Sequence, residues 1–230
     1  MKQMAILWLL IALAVVFGGT TCSATTVYDF LANASSATWS NPIQTVAYGG
    51  GTGIQGLVNT ESGNLEDGYY YSNYLLTQPD SRTDVAQHYI CGAYSVAIPD
   101  DVTNIKFTAT VGFKQGAGSS GGMAFRLMLY RYNQWTTLCS VTERYDGTFS
   151  NMTANLSGYE GETLNLYLVA DAYGDPNYDW GVWRNALITA DTPTVFNVSA
   201  YGATPNDGVD DYQAIQNAVQ AAINSGSAAK

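Results

Sequence analysis

Hydrophobic and polar residues alternate along much of the chain between residues 24 and 190. In the clearest run, residues 105–113, Ile105, Phe107, Val111 and Phe113 alternate with polar or small residues. A period of two is typical of a strand with one buried face. Similar runs, separated by turn signals such as Asp146-Gly147, predict further strands over residues 26–30, 69–76, 89–98, 123–132, 136–145 and 149–156.

Residues 164–188 combine two such runs with an acidic, aromatic loop between them. We expect the two runs to pair as a hairpin whose tip presents the loop as a binding surface. Leu164, Leu166 and Leu168 occupy the buried face of the first strand. In the second strand the pattern predicts two faces, with Trp183 and Leu187 on one and Val182, Ala186 and Ile188 on the other.

The fold class follows from the number of short strands. Turns separate them, and the sequence has no amphipathic helix before about residue 210. This pattern predicts an all-β fold, a two-sheet β-sandwich over residues 25–190. The sequence shows no fixed-period repeat in this part, which disfavours a β-helix there.

The pattern changes after residue 190. Residues 191–194 resemble a linker, residues 195–201 are expected to form a short strand, and a helix should begin at Asp210 or Asp211, either of which can cap it. Its apolar face consists of Ile215, Val219, Ala222 and Ile223. One strand and one helix cannot bury such a face alone.

The N-terminus has the three parts of a secretory signal. Lys2 precedes an apolar run over residues 4–17, and Cys22 and Ala24 belong to a stretch of small residues. We predict a signal peptide over residues 1–24 and a secreted or cell-surface protein. The run is short for a membrane span, which needs roughly 20 residues, so no transmembrane segment is expected after cleavage. A lipid anchor on Cys22 is the alternative.

The composition limits the kinds of partner that this chain is expected to bind. The hydrophobic content of 47% supports a packed core, and the formal net charge of −10 argues against a nucleic-acid partner. We expect a monomer.

Cys91 and Cys139 would remain after cleavage, and in an oxidising compartment they are candidates for a disulfide. Two buried free thiols are the alternative.

Two groups of side chains suggest binding chemistry. Trp135, Tyr173, Tyr178 and Trp180 are candidates to stack on a sugar ring, although burial in the core is the usual outcome for any single one. Oxygen ligands for a structural calcium ion could come from Asp171, Asp175, Asp179 and Glu66. Local turn hydrogen bonds are the alternative for the aspartates.

No catalytic constellation is visible in the sequence. His88 is the single histidine, so neither a zinc site nor a Ser/His triad is supported. Whether the chain is an enzyme is left open.

The phrases FTATVGFKQGAGSSGGMAFRL and NLSGYEGETLNLYLVADAYGDPNYDWGVWRNALI resemble carbohydrate-binding-module-like jelly rolls of the NPCBM type. With VYDFLANASSATW and LEDG upstream, the resemblance covers roughly residues 26–188. It implies a galactose-binding-like β-sandwich that binds a polysaccharide or another glycan, or that serves as an accessory to a glycan-active enzyme. A scaffold does not fix a ligand.

The tail VFNVSAYGATPNDGVDDYQAIQNAVQAAI resembles the entry segment of pectate-lyase-like, or polygalacturonase-like, right-handed parallel β-helices. The resemblance implies that residues 191–230 are a linker and the truncated start of such a β-helix, whose helix caps the open end of the solenoid. The coils that would carry catalytic carboxylates do not follow, so no catalytic residue is assigned.

Together these features predict a secreted carbohydrate-binding accessory module attached to a truncated polysaccharide-degrading enzyme. The alternative is a cell-surface structural or adhesion module without a glycan ligand.

Overall fold

The computed structural model describes residues 24–50, 54–83, 86–193 and 195–225. Within these residues two antiparallel sheets of six strands each pack against a shared hydrophobic core. This architecture confirms the predicted all-β sandwich. The predicted signal peptide lies almost entirely outside the described residues.

Every strand predicted between residues 24 and 190 is present, whereas the strands over residues 38–40, 45–46 and 57–64 were not predicted. The strands are β1 (Ala24–Asp29), β2 (Thr38–Ser40), β3 (Thr45–Val46), β4 (Leu57–Asn64), β5 (Tyr70–Gln78), β6 (Tyr89–Ala97), β7 (Thr103–Phe113), β8 (Met123–Arg131), β9 (Gln134–Glu143), β10 (Ser150–Asn155), β11 (Thr163–Ala172) and β12 (Gly181–Asp191).

The first sheet has the order β10-β7-β12-β5-β4, and β1 also pairs with β12. The second sheet has the order β3-β2-β6-β11-β8-β9. Successive side chains of each strand point to opposite faces of its sheet, so one set of them lies between the two sheets. Phe125 of β8 and Trp183 of β12 meet there across the two sheets, with ring centroids 5.0 Å apart.

The predicted hairpin over residues 164–188 is wrong. β11 pairs with β6 and β8 in the second sheet, whereas β12 pairs with β1, β5 and β7 in the first sheet. The intervening loop therefore crosses from one sheet to the other. The turn at Asp146-Gly147 also connects strands of different sheets, β9 and β10. Alternation identifies a strand, but it does not identify the strand's partner.

A β-bulge also changes the predicted faces of β12. The pairing of β12 with β7 shifts register between Arg184 and Leu187, and Asn185 adopts a φ of 47°. After a bulge the alternation changes phase. Trp183, Ala186 and Ile188 therefore all belong to the main core. Val182 lies in a separate small cluster with Leu65, Tyr74 and Leu76.

Residues 195–225 belong to a second compact unit. The predicted strand over residues 195–201 is absent from this unit, which instead contains a short 3-10 helix, Val198–Tyr201, capped by Asn197. Helix α1, Tyr212–Ser225, begins where the sequence predicts, and Asp210 Oδ1 accepts a hydrogen bond from the backbone N–H of Tyr212 at 2.9 Å.

The apolar face of α1 is only partly covered. Ala214 and Ala218 are buried, whereas Ile215, Val219 and Ile223 are exposed. The described residues of this unit contain no β-helix coil. Among the described helices, none is both long and apolar enough to cross a membrane.

Candidate functional site

A groove of about 840 Å³ runs over the outer face of the second sheet. Four neighbouring strands, β6, β11, β8 and β9, supply most of its surface, and Ser40 of β2 adds to one side. Its lining residues are Ser40, Ala86, Gln87, His88, Tyr89, Cys91, Arg126, Met128, Trp135, Tyr167, Val169, Asp171, Ala172 and Gly174.

The pairing register explains why these side chains meet. Val169 of β11 pairs with Cys91 of β6 on one side and with Arg126 of β8 on the other. Directly paired residues project to the same face of a sheet. Their sequence neighbours, including Leu168 and Leu127, are buried in the core. Because one set of alternating residues on these strands faces the core, the other set must face the groove.

Aromatic rings form one side of the groove. Trp135 is 54% exposed, and its ring lies 4.6 Å from Tyr167 and 4.8 Å from Tyr130, centroid to centroid. Burial raises the pKa of the Tyr167 hydroxyl, with smaller contributions from Cys91 and Tyr130. The tyrosines hold an accessible indole at the groove. Of the four aromatic residues predicted to stack on sugar, Trp135 is the one among the groove's lining residues.

An ion pair lies in the same groove. Arg126 Nη1 is 2.7 Å from Asp171 Oδ2, and about a third of each side chain is exposed. Nearby, His88 Nδ1 donates a hydrogen bond to the backbone carbonyl of Asp80 at 2.7 Å. Asp171, predicted as a calcium ligand, is thus engaged by a guanidinium group.

The predicted disulfide between Cys91 and Cys139 is wrong, because both thiols are free. Cys91 lies on β6 and Cys139 on β9, three strands apart in the second sheet. At the usual spacing of neighbouring strands this separation is about 14 Å, about twice the Cα distance that a disulfide allows. Burial raises the pKa of the Cys91 thiol, and Ser40 Oγ lies 3.3 Å from its sulfur.

The other predicted aromatic residues lie in the loop between β11 and β12 or at its end. Tyr173 and Tyr178 are exposed, and the Arg144 guanidinium lies 5.9 Å from the Tyr173 ring centroid. Trp180 is partly buried and packs against both hydrophobic clusters. Trp180 therefore has a packing role, as the alternative interpretation holds.

The predicted calcium ligands are divided among separate environments. Asp175 Oδ1 accepts hydrogen bonds from the backbone and side chain of Asn177, which is local turn chemistry. Asp179 is fully buried, and its Oδ1 accepts a hydrogen bond from Ser120. Burial raises the pKa of Asp179 to about 7, and its Oδ2 has no hydrogen-bond partner.

Glu66 lies in a different cluster of carboxylates, with Glu143 and Asp146. Its Oε1 accepts a hydrogen bond from Phe113 N at 2.8 Å, and its Oε2 accepts from Asp146 N at 3.0 Å and from Gly147 N. Burial raises the pKa of Glu66 to about 7 despite these bonds. Within the described chain, the acidic cluster with metal-binding spacing is this one rather than the predicted set.

Sequence reasoning missed several groove residues. Arg126, Met128, Tyr167 and Val169 are on the outward face of their strands, and Val169 is buried there despite facing away from the core. Large or apolar residues at outward positions of two adjacent strands are the signal that could have indicated a binding face.

Comparisons with protein-family models and with curated proteins find no match for this chain. Among solved structures, the chain is similar to TmCBM61 in complex with β-1,4-galactotriose, at 11% identity, with 55% of this chain and 76% of that chain covered and a TM-score of 0.38. The xylan-binding domain from CBM 22 is 14% identical, with 74% and 97% covered and a TM-score of 0.41.

A protein of another function is similar to the same degree. A cyclase from Fischerella sp. TAU is 14% identical, with 75% of this chain and 100% of that chain covered and a TM-score of 0.45. Likenesses at this level do not decide between binding and catalysis, because one fold supports many functions. The function is therefore inferred from the groove.

Proposed function

We propose that this chain binds a glycan in the groove on the outer face of the second sheet. The observation that carries the proposal is that the exposed Trp135 ring and the Arg126–Asp171 ion pair line the same groove. An aromatic face packs against the C–H groups of a sugar ring, and a partly exposed ion pair offers donors and acceptors to its hydroxyl groups. Both kinds of contact are needed for a ligand that is apolar on its faces and polar at its edges.

The groove's dimensions suit a small saccharide. Its volume of about 840 Å³ lies within the range of about 300–1,000 Å³ that is typical of small-ligand sites. The floor includes Val169 and Met128, which supply apolar surface. Such a site has room for a short oligosaccharide or for a few rings of a longer chain.

Charge favours neutral or cationic sugars over polyanions. The formal net charge is −10, and Arg126 is already paired with Asp171. The net negative charge of the protein would therefore repel a polyanionic sugar chain. The Arg126–Asp171 pair offers no unpaired cation to attract it. A few stacking and hydrogen-bond contacts support only weak binding, with dissociation constants on the order of micromolar to millimolar.

Affinity electrophoresis in gels containing neutral plant or microbial polysaccharides tests this proposal. We expect at least one polysaccharide to retard the wild-type chain and Trp135→Ala or Tyr167→Ala to abolish the retardation. Tyr69→Ala is a matched control, because Tyr69 is 71% exposed and is not part of the groove lining. Circular dichroism and thermal unfolding establish that each variant folds.

Two results would contradict glycan binding in the groove. If no polysaccharide retards the wild-type chain, the alternative function as a structural or adhesion module is favoured. If Tyr173→Ala abolishes binding while Trp135→Ala does not, the ligand binds the β11–β12 loop instead. Trp180→Ala is a poor probe, since loss of a packed indole disturbs the fold.

We also propose where this module acts and to what it is attached. The signal-like N-terminus supports a secreted or cell-surface protein, and the sequence of residues 195–225 supports attachment to a polysaccharide-degrading β-helix enzyme. The exposed side chains of Ile215, Val219 and Ile223 agree with a helix that packs against further chain. Sequencing the gene beyond the codon for Lys230 tests the attachment, and analytical ultracentrifugation tests the expected monomer.

A further inference from the structure

A second, smaller cleft lies beyond the aromatic side of the groove, on the same outer face of the second sheet. It has a volume of about 240 Å³ and is formed by the end of β8 and the start of β11. Tyr130, Arg131, Thr163 and Asn165 are among its lining residues. This hairpin cleft adjoins the turn at residues 132–133, which joins β8 to β9.

Strand β11 extends from one cavity to the other. Every second residue along it lines the groove, as Asp171, Val169 and Tyr167 do, or the hairpin cleft, as Asn165 and Thr163 do. Asp171 and Thr163 are eight residues apart in this strand. At about 3.3 Å per residue they are separated by about 26 Å. The groove and the hairpin cleft therefore follow one another along the same strand.

Three aromatic rings bridge the two cavities. The Trp135 ring lies 4.6 Å from the ring of Tyr167 in the groove and 4.8 Å from the ring of Tyr130 in the hairpin cleft, centroid to centroid. Tyr130 pairs directly with Trp135 on one side and with Asn165 on the other, so all three side chains project to the same face. The Tyr130 hydroxyl donates a hydrogen bond to Asn133 Oδ1 at 2.7 Å, which fixes the ring against the turn. The stacking surface therefore continues past Trp135 into the hairpin cleft.

The hairpin cleft also repeats the polar chemistry of the groove. Arg131 Nη2 is 2.6 Å from Glu162 Oε2, and about a third of each side chain is exposed. The exposed Asn165 amide adds a donor and an acceptor. Each cavity thus combines an aromatic ring with a partly exposed ion pair that can exchange hydrogen bonds with hydroxyl groups.

We propose that the groove and the hairpin cleft together bind one neutral, linear sugar chain of several units, which follows β11 and crosses the Trp135 ring. This inference rests on the proposed glycan binding in the groove, and it adds the length and the direction of the ligand. The span of about 26 Å exceeds the length of a disaccharide. A neutral chain suits both cavities, because each guanidinium group is already paired with a carboxylate.

Isothermal titration calorimetry of the full chain with oligosaccharides of one to six sugar units tests the length of the site. The probes are size-fractionated hydrolysates of the neutral polysaccharides used in the gels, xylan, mannan and β-glucan among them. We expect the affinity of the wild-type chain to rise by about tenfold or more from the disaccharide to the hexasaccharide, because only longer chains reach the hairpin cleft. An affinity that no longer rises beyond the disaccharide would overturn the proposal.

Variants in the hairpin cleft locate the added contacts. Asn165→Ala should weaken binding of the hexasaccharide by about three- to tenfold, the usual effect of one hydrogen bond, and leave binding of the disaccharide unchanged. Arg131→Met, which keeps an unbranched side chain without the charge, should act in the same way. Ser95→Ala is the matched control, because Ser95 is exposed, pairs with Asn165 from β6 and lines neither cavity. Circular dichroism establishes that each variant folds.

The outcomes separate this inference from glycan binding itself. If the wild-type chain binds none of the polysaccharides and oligosaccharides, both proposals are wrong. If it binds them and Asn165→Ala leaves the hexasaccharide affinity unchanged, the groove alone is the site and only the hairpin cleft is excluded. If Ser95→Ala weakens hexasaccharide binding as much as Asn165→Ala does, the sugar chain crosses the strands towards β6, which contradicts a path along β11. If Arg131→Met does not fold, the exposed Asn165 decides the result.

Discussion

The indole ring of Trp39 lies so close to Gly92 that a Cβ at residue 92 would be 2.6 Å from its Cη2 atom. The two residues are directly paired between β2 and β6. Trp39 is buried, and its Nε1 donates a hydrogen bond to Ala34 O at 2.8 Å. The absence of a side chain at Gly92 of β6 therefore leaves room for the indole ring of Trp39, the largest residue of β2, beneath the groove-bearing sheet.

This contact predicts that Gly92→Ala destabilises the sandwich. The added methyl group would displace a buried indole, and overpacking of this kind lowers the free energy of unfolding by about 1–3 kcal/mol. Gly118→Ala is a matched control, because its Cβ would lie 3.6 Å from the nearest atom, in ordinary contact with Tyr145. Urea denaturation measures both variants, and equal stabilities would contradict the argument.

Thr77 connects Trp183 to the backbone at the start of β12. Its Oγ1 accepts a hydrogen bond from Trp183 Nε1 and donates one to Gly181 O, each at 3.2 Å. Thr77→Val keeps the shape but leaves a buried indole N–H without this acceptor. We expect a loss of about 1–3 kcal/mol in the free energy of unfolding, measured by urea denaturation.

Thr77→Ser is the control for this prediction, because it keeps the hydroxyl group and removes only a methyl group. It should retain more of the stability than Thr77→Val does. A valine variant as stable as the wild type would show that the indole N–H finds another partner.

The strands were predictable because alternation is a local property of the sequence. Residues 164–172 and 181–191 both show it, and both form strands. Their assignment to different sheets depends on contacts with β6, β7 and β8, about which the local pattern carries no information. The bulge at Asn185 likewise reverses faces without a turn signal in the sequence.

Residues of the candidate sites could be predicted only where the type of a single residue, such as a tryptophan, indicates a binding role. Trp135 was a candidate because an aromatic ring can stack on a sugar face, and it does lie in the groove. Arg126 and Asp171 are 45 residues apart in sequence and meet through the pairing of β8 with β11. Glu66 meets Glu143 and Asp146 through tertiary packing, so sequence spacing favoured the nearer-looking aspartates instead.

The two cysteines of the sandwich should remain reduced in the native protein. Their separation across the second sheet rules out a bond between them without rearrangement of strands. We expect dithiothreitol to leave the melting temperature unchanged. Alkylation of the unfolded chain should label Cys91 and Cys139 equally with and without prior reduction, as measured by peptide mass spectrometry. Labelling that requires the reductant would contradict the pairing register.

Asp179 should make stability depend on pH. Burial, the largest influence, raises its pKa to about 7 in the folded chain, from 3.8 as the ordinary value, whereas the Ser120 hydroxyl lowers it. Between about pH 4 and pH 7 the native state therefore retains a proton that the unfolded state has released. The stabilisation is fully present below pH 4 and is lost as the pH rises towards 7, by an amount on the order of a few kcal/mol.

Asp179→Asn isolates this contribution, because an amide is neutral across the window and its oxygen can still accept the Ser120 hydrogen bond. Urea denaturation at intervals from pH 4 to pH 8 should show a smaller decline for the variant than for the wild type. Glu66 also has a raised pKa and should produce a decline in both proteins, so the difference between the two curves carries the test. Parallel curves would mean that Asp179 is ionised in the native state, in which case its buried Oδ2 must have a cationic or water partner.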